Sequence, residues 1–418
     1  VYKRQVTTCC DNAGRTWTCI RRRLLSRHVP DLNPMGRSLP YWKLSGFYFF
    51  YFASLGVLIP YWSLYLKSLE YSSLVIGSLI AILPATKLIA PYIWGWLADH
   101  TRRSMLIIRI ASVLALLSFS LVFISTELWW LTIVMLLFSF FWNAVLPQFE
   151  AMTLNHLGED SHRYSMIRLW GSLGFIIVAV LIGDLLPRYQ AEVIPVVVLI
   201  TFVCITLSSF LVPEKLNVPH LDHSPIWKEV KRPEVLAFLV VCFLMLCSHG
   251  PYYTFYSIYL QEQGYDSPTI GMLWAVGVMA EVVIFLIMHR LLPMFGARKL
   301  LLLTFVLTTS RWLIIGFFVD DLSMLFIAQL IHAFSFGVFH AVGIALVHEY
   351  FTGSHQGRGQ ALYASTSYGA GVAVGSLVSG MVWDHWGATL LFVFAAGCTM
   401  LAMFIVWRYI GSRDDAVS

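Results

Sequence analysis

"GFYFFYFASLGVLIPYWSLYL", residues 46–66, contains no charged side chain over a length that crosses the hydrocarbon core of a bilayer as one α-helix. Similar apolar runs recur along the 418-residue chain, of which 58% is hydrophobic and only 12% charged. Soluble proteins carry roughly 25% charged residues, so this composition is typical of a chain whose solvent is lipid. The sequence therefore predicts an all-α membrane protein.

Twelve apolar segments can be placed along the chain, and one polar stretch divides them into six and six. That stretch is "PEKLNVPHLDHSPIWKEVKRPE", residues 213–234. The pattern predicts twelve transmembrane helices in two six-helix bundles, joined by a cytoplasmic linker. The segments lie near residues 42–66, 74–98, 105–125, 128–152, 166–186, 193–212, 235–261, 268–291, 299–319, 322–348, 359–383 and 387–409.

Residues 1–34 are predicted to lie outside the fold as an artefactual or disordered extension. They contain no apolar run and do not begin with Met, so they lack the pattern of a secretory signal. The first bundle is then expected over residues 35–212 and the second over residues 235–410. Residues 213–234 form the predicted linker, and residues 411–418 form a predicted cytoplasmic tail.

Common catalytic and metal-binding patterns are missing from the sequence. It has no phosphate-binding loop, HExxH, GxSxG or dinucleotide fingerprint, and its seven cysteines show no CxxC spacing. We therefore expect no enzyme activity, no metal site, no cofactor and no nucleic-acid partner.

The Lys and Arg residues in the loops and near the ends of the segments are distributed unevenly. If the N-terminus is cytoplasmic, sixteen of them face the cytoplasm, whereas two, Lys67 and Arg188, face the opposite side. Cytoplasmic loops carry an excess of Lys and Arg, so this bias predicts that both termini lie in the cytoplasm. We expect a multi-pass protein of a bacterial inner membrane.

Several ionisable side chains lie inside the apolar segments, where a charge costs at least about 2.5–3.5 kcal/mol and usually faces a cavity or a partner. Glu150 and Arg168 lie on consecutive segments at similar depths from their joining loop, so they are predicted to meet. The pair either binds a ligand or only ties two helices together. The others are Lys87, His249, Glu281, Arg311, His332 and His340.

The chain resembles transporters of the major facilitator superfamily over residues 41–408. Within that superfamily it is similar to the lactose permease and to the phenylpropionate permease group of proton symporters. "NAVLPQFEAM", residues 143–152, is similar to the permease pattern N-A-x-x-P-x-x-E-A, and "RLWGSLG", residues 168–174, resembles its R-x-aromatic-G-x-x-G. Residues 46–66 and 90–99 resemble the phenylpropionate group most. The resemblance implies the major facilitator fold and transport by alternating access.

Five residues are expected to contact the substrate. Through the resemblance, Glu150 and Arg168 match the main binding pair of the permease, and Asn143 opens the same motif. Lys87 is expected either to hold an anionic substrate or to pair with a Glu. His249 is expected either to act at the site or to pack between helices.

The resemblance also implies a proton relay in the second half. "TSRWLIIG" and "LIHAFS" resemble the permease motifs that contain its relay Arg and His, so Arg311 and His332 match these residues. The family's Glu three residues further on is Ser335 here, so the proton carrier is expected elsewhere. Glu281, which resembles the permease's eighth-span Glu, is the first candidate, and Glu150 is the second. A carboxyl in an apolar cavity has its charged form disfavoured and can bind protons near neutral pH.

"GWLADHTRR", residues 95–103, resembles the loop signature that the superfamily carries between its second and third spans. The resemblance implies a cytoplasmic gate formed by Asp99, Arg102 and Arg103. For the two arginines, positive-inside anchoring is the alternative. In "YGAGVAVGSLVSG", residues 368–380, Gly371 and Gly375 lie four apart and predict close helix packing.

Uptake of a small organic solute, driven by a proton gradient and without a cofactor, is the expected function. The resemblance favours an aromatic carboxylate such as 3-phenylpropionate. A sugar or nucleoside symporter is one alternative, and a membrane sensor or scaffold that does not transport is another. The expected partners are the substrate, protons and lipid, and the chain is expected to be a monomer.

Overall fold

A computed structural model describes residues 39–215 and 226–411, and within these ranges the chain is helical without β-strands. The prediction of an all-α protein is confirmed for this part of the chain. The predicted extension, part of the linker and nearly all of the tail lie outside the described residues. The α-helices are α1 (Tyr41–Ser68), α2 (Ser73–Ala85), α3 (Ala90–Thr101), α4 (Ser104–Ser120), α5 (Leu128–Leu157), α6 (Tyr164–Tyr189), α7 (Val193–Leu211), α8 (Trp227–Val230), α9 (Pro233–Glu262), α10 (Ser267–Phe317), α11 (Leu322–His332), α12 (Phe339–Tyr350), α13 (Gln356–Ala364) and α14 (Val372–Tyr409).

Short segments of other helix types connect some of these α-helices without a loop, among them the 3₁₀ segment Gly158–Arg163 between α5 and α6. A 3₁₀ turn, Thr86–Leu88, joins α2 to α3. Two π-helical segments, Ala333–Val338 and Ser365–Gly371, join α11 to α12 and α13 to α14. π-helical segments occur often at functional sites, because they change the direction in which side chains point.

Ten continuous helical ranges in the described residues are long and apolar enough to cross a membrane. Two of them contain 51 and 54 residues, which at roughly 1.5 Å per residue is more than twice the thickness of a bilayer core. Each contains a glycine with non-helical angles, Gly296 (φ 74°, ψ 160°) and Gly387 (φ 76°, ψ 175°), where one helix ends and the next begins. When these two ranges are divided at their glycines, each predicted apolar segment lies largely within a helical part of the structure.

Helix α10 begins behind a side-chain cap. The backbone N–H of Thr269 donates to Asp266 Oδ1 at 3.0 Å, which satisfies one of the free donors at the helix N-terminus. Hydrogen bonds from the side chain and the backbone of Thr269 hold the pKa of Asp266 below its ordinary value of 3.8.

Replacing Asp266 by alanine is expected to lower the free energy of unfolding by about 1 kcal/mol at neutral pH, because the cap is lost. The folded pKa is depressed, so the contribution is complete above the ordinary pKa and is lost as the pH falls through the lowered value. Thermal unfolding of the purified protein at neutral and strongly acidic pH measures the difference. Asp266→Asn keeps an acceptor and should cost less; a deficit in Asp266→Ala that is independent of pH would contradict the assignment.

The helices before the linker contact those after it at glycines. A Cβ atom added to Gly77 of α2 would lie 2.6 Å from the carbonyl oxygen of Ser376 and 2.8 Å from the Cα of Gly380, both on α14. A Cβ on Gly183 of α6 would lie 2.7 Å from the carbonyl oxygen of Ser267 at the start of α10. Small residues permit such close approach of helices.

An ion pair joins the two halves of the chain near these glycine contacts. Lys67 Nζ, at the end of α1, lies 2.6 Å from Glu262 Oε1 at the end of α9. Lys67 is one of the two basic residues that the charge bias assigns to the outer side. The halves therefore meet at the membrane side that the sequence predicts to be extracellular.

Glycines also set the distance between α9 and α14. A Cβ on Gly371 would lie 2.7 Å from the carbonyl oxygen of Phe243, and one on Gly375 would lie 3.0 Å from the Cα of Gly250. The prediction that Gly371 and Gly375 serve close helix packing is confirmed.

Candidate functional site

A cavity of about 130 Å³ lies between the two halves of the chain. The first half contributes side chains from α1 and α6, and the second half contributes side chains from α9, α10, α11 and the π segment that follows α11. Most of the wall is apolar and aromatic, with Arg168, Glu281 and His332 as its ionisable groups. The lining residues are Phe52, Leu55, Ile59, Arg168, Ser172, Phe175, Tyr253, Trp274, Val278, Glu281, His332 and Phe336.

Arg168 enters the cavity from α6 with its guanidinium stacked on an aromatic ring. The guanidinium carbon lies 3.6 Å from the centroid of the Phe52 ring. Gly171 leaves room for this pair, because a Cβ there would lie 2.7 Å from the Phe52 ring and 2.8 Å from Arg168 Nη1. A cation over an aromatic face is attracted by the ring quadrupole, so the stack fixes the guanidinium in one place.

Glu150 lies beside the cavity, not in its lining. Its half-buried side chain is hydrogen-bonded to the side chain of Tyr164, and Arg168 is near enough to act on it electrostatically. Among the ion pairs of the described residues, none joins Glu150 to Arg168 within 4.0 Å. The two charges are therefore neighbours without direct contact in this conformation. Their predicted role as a ligand clamp stays a prediction.

Four polar side chains of the second half form a chain from the cavity into the protein. Glu281 Oε2 lies 4.0 Å from His332 Nε2, and the other ring nitrogen of His332 lies 3.5 Å from Ser335 Oγ. Arg311 Nη1 donates to Ser335 Oγ at 3.4 Å. The structure thus brings together three residues that the sequence predicts to act in proton coupling, with Ser335 as the connecting hydroxyl.

Arg311 is fully buried and lacks a carboxylate partner within the described ranges. Its Nε donates to the carbonyl oxygen of Ala328 at 3.0 Å, and its guanidinium lies 4.2 Å and 4.4 Å from the ring centroids of Tyr252 and Trp312. Aromatic faces, a carbonyl and the Ser335 hydroxyl therefore surround this guanidinium.

His249 lies outside the cavity lining and packs in the second half. Its Nδ1 is 2.8 Å from the carbonyl oxygen of Met245, so this nitrogen is the donor and Nε2 carries the lone pair. Nε2 is buried and has no protein partner in the described part of the chain. The ring lies edge-on to Trp312 at 4.9 Å. His249 thus packs among helices in this conformation, and its contact with the substrate stays a prediction.

The side-chain amide of Asn143 donates two hydrogen bonds at the break between α2 and α3. Its Nδ2 donates to the carbonyl oxygen of Leu83 at 2.7 Å and to Thr86 Oγ1 at 2.8 Å. Leu83 lies in the last turn of α2, where backbone carbonyls lack an intrahelical donor. The amide therefore stabilises the broken helix. A direct contact between Asn143 and the substrate stays a prediction.

Lys87 lies in the 3₁₀ turn of the same break and is half-buried. In the described ranges no carboxylate lies within ion-pair distance of its ammonium. The predicted pairing with Glu150 or Glu281 is absent from this conformation. An anion partner for Lys87 stays a prediction.

The three predicted gate residues lie at the end of α3 and in the turn that follows. Asp99, Arg102 and Arg103 are all exposed, and no ion pair within the described ranges involves them. Arg102 adopts a left-handed backbone conformation (φ 57°) in this turn. The gate stays a prediction.

Sequence reasoning assigned no function to four residues at or near this site. Phe52 holds Arg168, Phe336 lines the cavity, and the half-buried His340 and Tyr368 lie hydrogen-bonded beyond it, with His340 Nδ1 2.9 Å from Tyr368 Oη. The four-residue spacing of His332, Phe336 and His340 is visible in the sequence and was the available signal. Their alignment depends on the π segment, which the sequence pattern does not reveal.

Comparisons with known proteins agree with this architecture. The family model described as "MFS_1 like family" matches residues 41–394. The chain is 29% identical over 369 residues to the "Probable 3-phenylpropionic acid transporter" of Escherichia coli (strain K12), covering 86% of this chain and 95% of that protein. It is 25% identical over 365 residues to the "Maltose permease" of Geobacillus stearothermophilus, covering 86% and 92%.

Solved structures share the fold at low sequence identity. The nucleoside transporter NupG superposes with a TM-score of 0.77 at 14% identity, covering 89% of this chain and 99% of NupG. An auto inhibited POT family peptide transporter superposes with a TM-score of 0.68 at 13% identity, covering 88% and 96%. These likenesses establish the major facilitator fold. The chain belongs to the MFS_1 like family, and it is a multi-pass membrane transporter of a small molecule, not an enzyme.

Proposed function

We propose that this transporter takes up an aromatic carboxylate, such as a 3-phenylpropionate, together with protons. One observation carries the proposal: a single guanidinium, held on an aromatic ring, enters an aromatic cavity that also holds a carboxyl and an imidazole. The name of the E. coli relative supports the same substrate class.

The cavity can bind the two ends of such a substrate in different ways. Guanidinium binds carboxylate through two parallel hydrogen bonds, so Arg168 would bind the acid group. The rings of Phe175, Trp274 and Phe336 would bury the aryl group. Aromatic pairs contribute about 0.5–1.5 kcal/mol beyond the area that they bury, which favours an aryl over an alkyl acid.

Proton coupling is assigned to Glu281 and His332 in this proposal. The two side chains are 4.0 Å apart and line the same cavity as Arg168, which is near enough to act on Glu281 electrostatically. A bound anion and a charged Glu281 would compete for one guanidinium in a medium of low dielectric. Protonation of Glu281 removes this competition, so that substrate and proton bind together.

The orientation of the protein follows the charge bias of the sequence. We place both termini in the cytoplasm at a bacterial inner membrane, because sixteen basic residues fall on that side and two on the other. We take the monomer as the transporting unit, because the cavity is completed by two halves of one chain. The proton gradient then supplies the energy without a cofactor.

Uptake by purified protein in liposomes tests the proposal. Labelled 3-phenylpropionate should accumulate when the outside is acidic and only equilibrate without a gradient. Glu281→Gln should remove the dependence on the gradient, whereas Glu349→Gln, at an exposed position in α12, should keep it. Equal uptake with and without the gradient would contradict the assignment of proton symport.

Sugar symport is the second candidate, because one relative is named a maltose permease. Labelled maltose in the same liposomes separates the two. Gradient-driven accumulation of maltose, with no accumulation of 3-phenylpropionate, would replace the first candidate with the second.

A further inference from the structure

Three aromatic side chains follow one another along the tenth predicted segment. The ring centroids of His332 and Phe336 are 5.7 Å apart with an angle of 23° between the planes. Those of Phe336 and His340 are 6.1 Å apart with an angle of 10°. Both pairs fall within the range of offset-parallel stacking. We call these three rings the aromatic strip.

The π segment Ala333–Val338 explains why the strip is straight. In an α-helix, residues four apart drift around the axis by roughly 40° at each step, so three such rings would diverge. A π turn contains more residues than an α turn, and it rotates the chain less per residue. The strip crosses from α11 through the π segment into α12. The rotation about the helix axis in the α-helical part is therefore offset by the smaller rotation per residue in the π segment. The three rings consequently stay on one face of the helix.

One end of the strip is the binding cavity. His332 and Phe336 both line it, while His340 lies one further step along the chain towards the side that the sequence predicts to be cytoplasmic. Phe336 and His340 are only half-buried, unlike the fully packed side chains of the adjoining core. Phe336 thus keeps accessible surface in the cavity, and His340 keeps accessible surface one step beyond it.

The other end of the strip is polar. His340 Nδ1 lies 2.9 Å from Tyr368 Oη and 3.5 Å from Tyr363 Oη. Tyr368 belongs to the second π segment, and its ring lies 6.0 Å from that of Phe336. Arg168, across the cavity, is near enough to act on His340 electrostatically. An acid group that leaves Arg168 would thus meet hydrogen-bonding groups again at this end.

We infer that the aromatic strip is the surface on which the aryl ring of the substrate stacks, both in the cavity and along its path to the cytoplasm. This inference rests on the proposed function and deepens it, because it makes Phe336 and His340 the residues that select aryl over alkyl carboxylates. An alkyl chain of similar length fills the same space but gains no stacking.

Binding to the purified full-length protein, measured by isothermal titration calorimetry, tests the inference. The probes are 3-phenylpropionate and hexanoate. Phe336→Leu should raise the Kd of the aryl acid by about twofold to tenfold, while the Kd of hexanoate changes by less than about twofold. His340→Gln keeps hydrogen-bonding groups but removes the ring, so it should also raise the Kd of the aryl acid more than that of hexanoate. This variant tests the inference if Phe336→Leu fails to fold.

Phe334→Leu is the matched control, because Phe334 lies in the same π segment but packs against the core of the second half. It should leave the ratio of the two Kd values unchanged. The inference about the aromatic strip is wrong if the ratio of the two Kd values is unchanged in both Phe336→Leu and His340→Gln. It is also wrong if Phe334→Leu changes that ratio equally. Either result leaves the proposed function intact. Failure of the unmodified protein to bind either acid overturns both.

Discussion

Replacing Arg168 by glutamine is expected to reduce uptake of an aryl carboxylate by about a hundredfold or more. Removing one member of a desolvated charge pair costs about 2–5 kcal/mol, and roughly 1.4 kcal/mol is a factor of ten. Arg168 is the one Lys or Arg among the side chains lining the cavity in the described chain, so no neighbour there can replace it. Its loss also removes a positive charge that acts on Glu281 in this site.

Arg168→Lys separates charge from shape. Lysine keeps the positive charge but has no planar group to lie on Phe52 at 3.6 Å and no bidentate fork for the acid. We expect uptake between that of the unmodified protein and that of Arg168→Gln. Initial rates in liposomes over a range of substrate concentrations give KM and kcat for each variant.

Arg188→Gln provides the matched control on the same helix. Arg188 forms an exposed pair with Asp184 at 3.3 Å near the end of α6, far along the helix from the cavity. Exposed pairs contribute about 0–1 kcal/mol, so uptake should change little. If Arg168→Gln transports at the rate of Arg188→Gln, then Arg168 does not bind the substrate.

Replacing Gly375 by alanine is expected to destabilise the protein severely. The added Cβ would collide with the carbonyl oxygen of Cys247 and lie 3.0 Å from the Cα of Gly250. Both neighbours are backbone atoms of α9, so no side chain can rotate away and the helices must separate. Overpacking of this kind costs about 1–3 kcal/mol, and more where the structure cannot relax.

The midpoint of thermal unfolding, followed by size-exclusion chromatography in detergent, measures this effect. Gly397→Ala is the control in the same helical range, beyond the break at Gly387, because a Cβ at Gly397 would have no neighbour within 4 Å. Alanine favours helix over glycine by roughly 1 kcal/mol, so Gly397→Ala should be neutral or stabilising. Equal midpoints for the two variants would show that α9 and α14 are not in close contact at Gly375.

Much of the fold can be predicted from the sequence because its signals are local. Residues 46–66 need only their length and apolar character to predict a membrane-spanning helix. The same local reasoning predicts that Gly371 and Gly375 allow close packing, and the structure confirms it. The apolar pattern also divides each of the two long helical ranges into two segments, and the breaks at Gly296 and Gly387 lie at those predicted boundaries.

The membership of the cavity is predictable only in part, because four of the five predicted substrate-binding residues lie outside its lining. Its contacts are not predictable. The sequence selects Arg168, Glu281 and His332, and all three line one cavity. It does not predict that Arg168 lies on Phe52, with Glu150 nearby but not in contact. Nor does it predict that Asn143 donates to the break in α2. Which side chains meet depends on the rotation and depth of each helix, and a one-residue change in either redirects every contact.

The sequence by itself determined that this chain is a helical membrane protein, and it supplied a set of intramembrane charges as candidates for a site. The tertiary structure decided which of those charges share a cavity and what holds each in place. It also decided that His332, Phe336 and His340 form one strip. The physical reason is that hydrophobicity is a property of each residue, whereas a binding surface is a property of relative positions. Those positions are set by glycine contacts, helix breaks and π segments between distant parts of the chain.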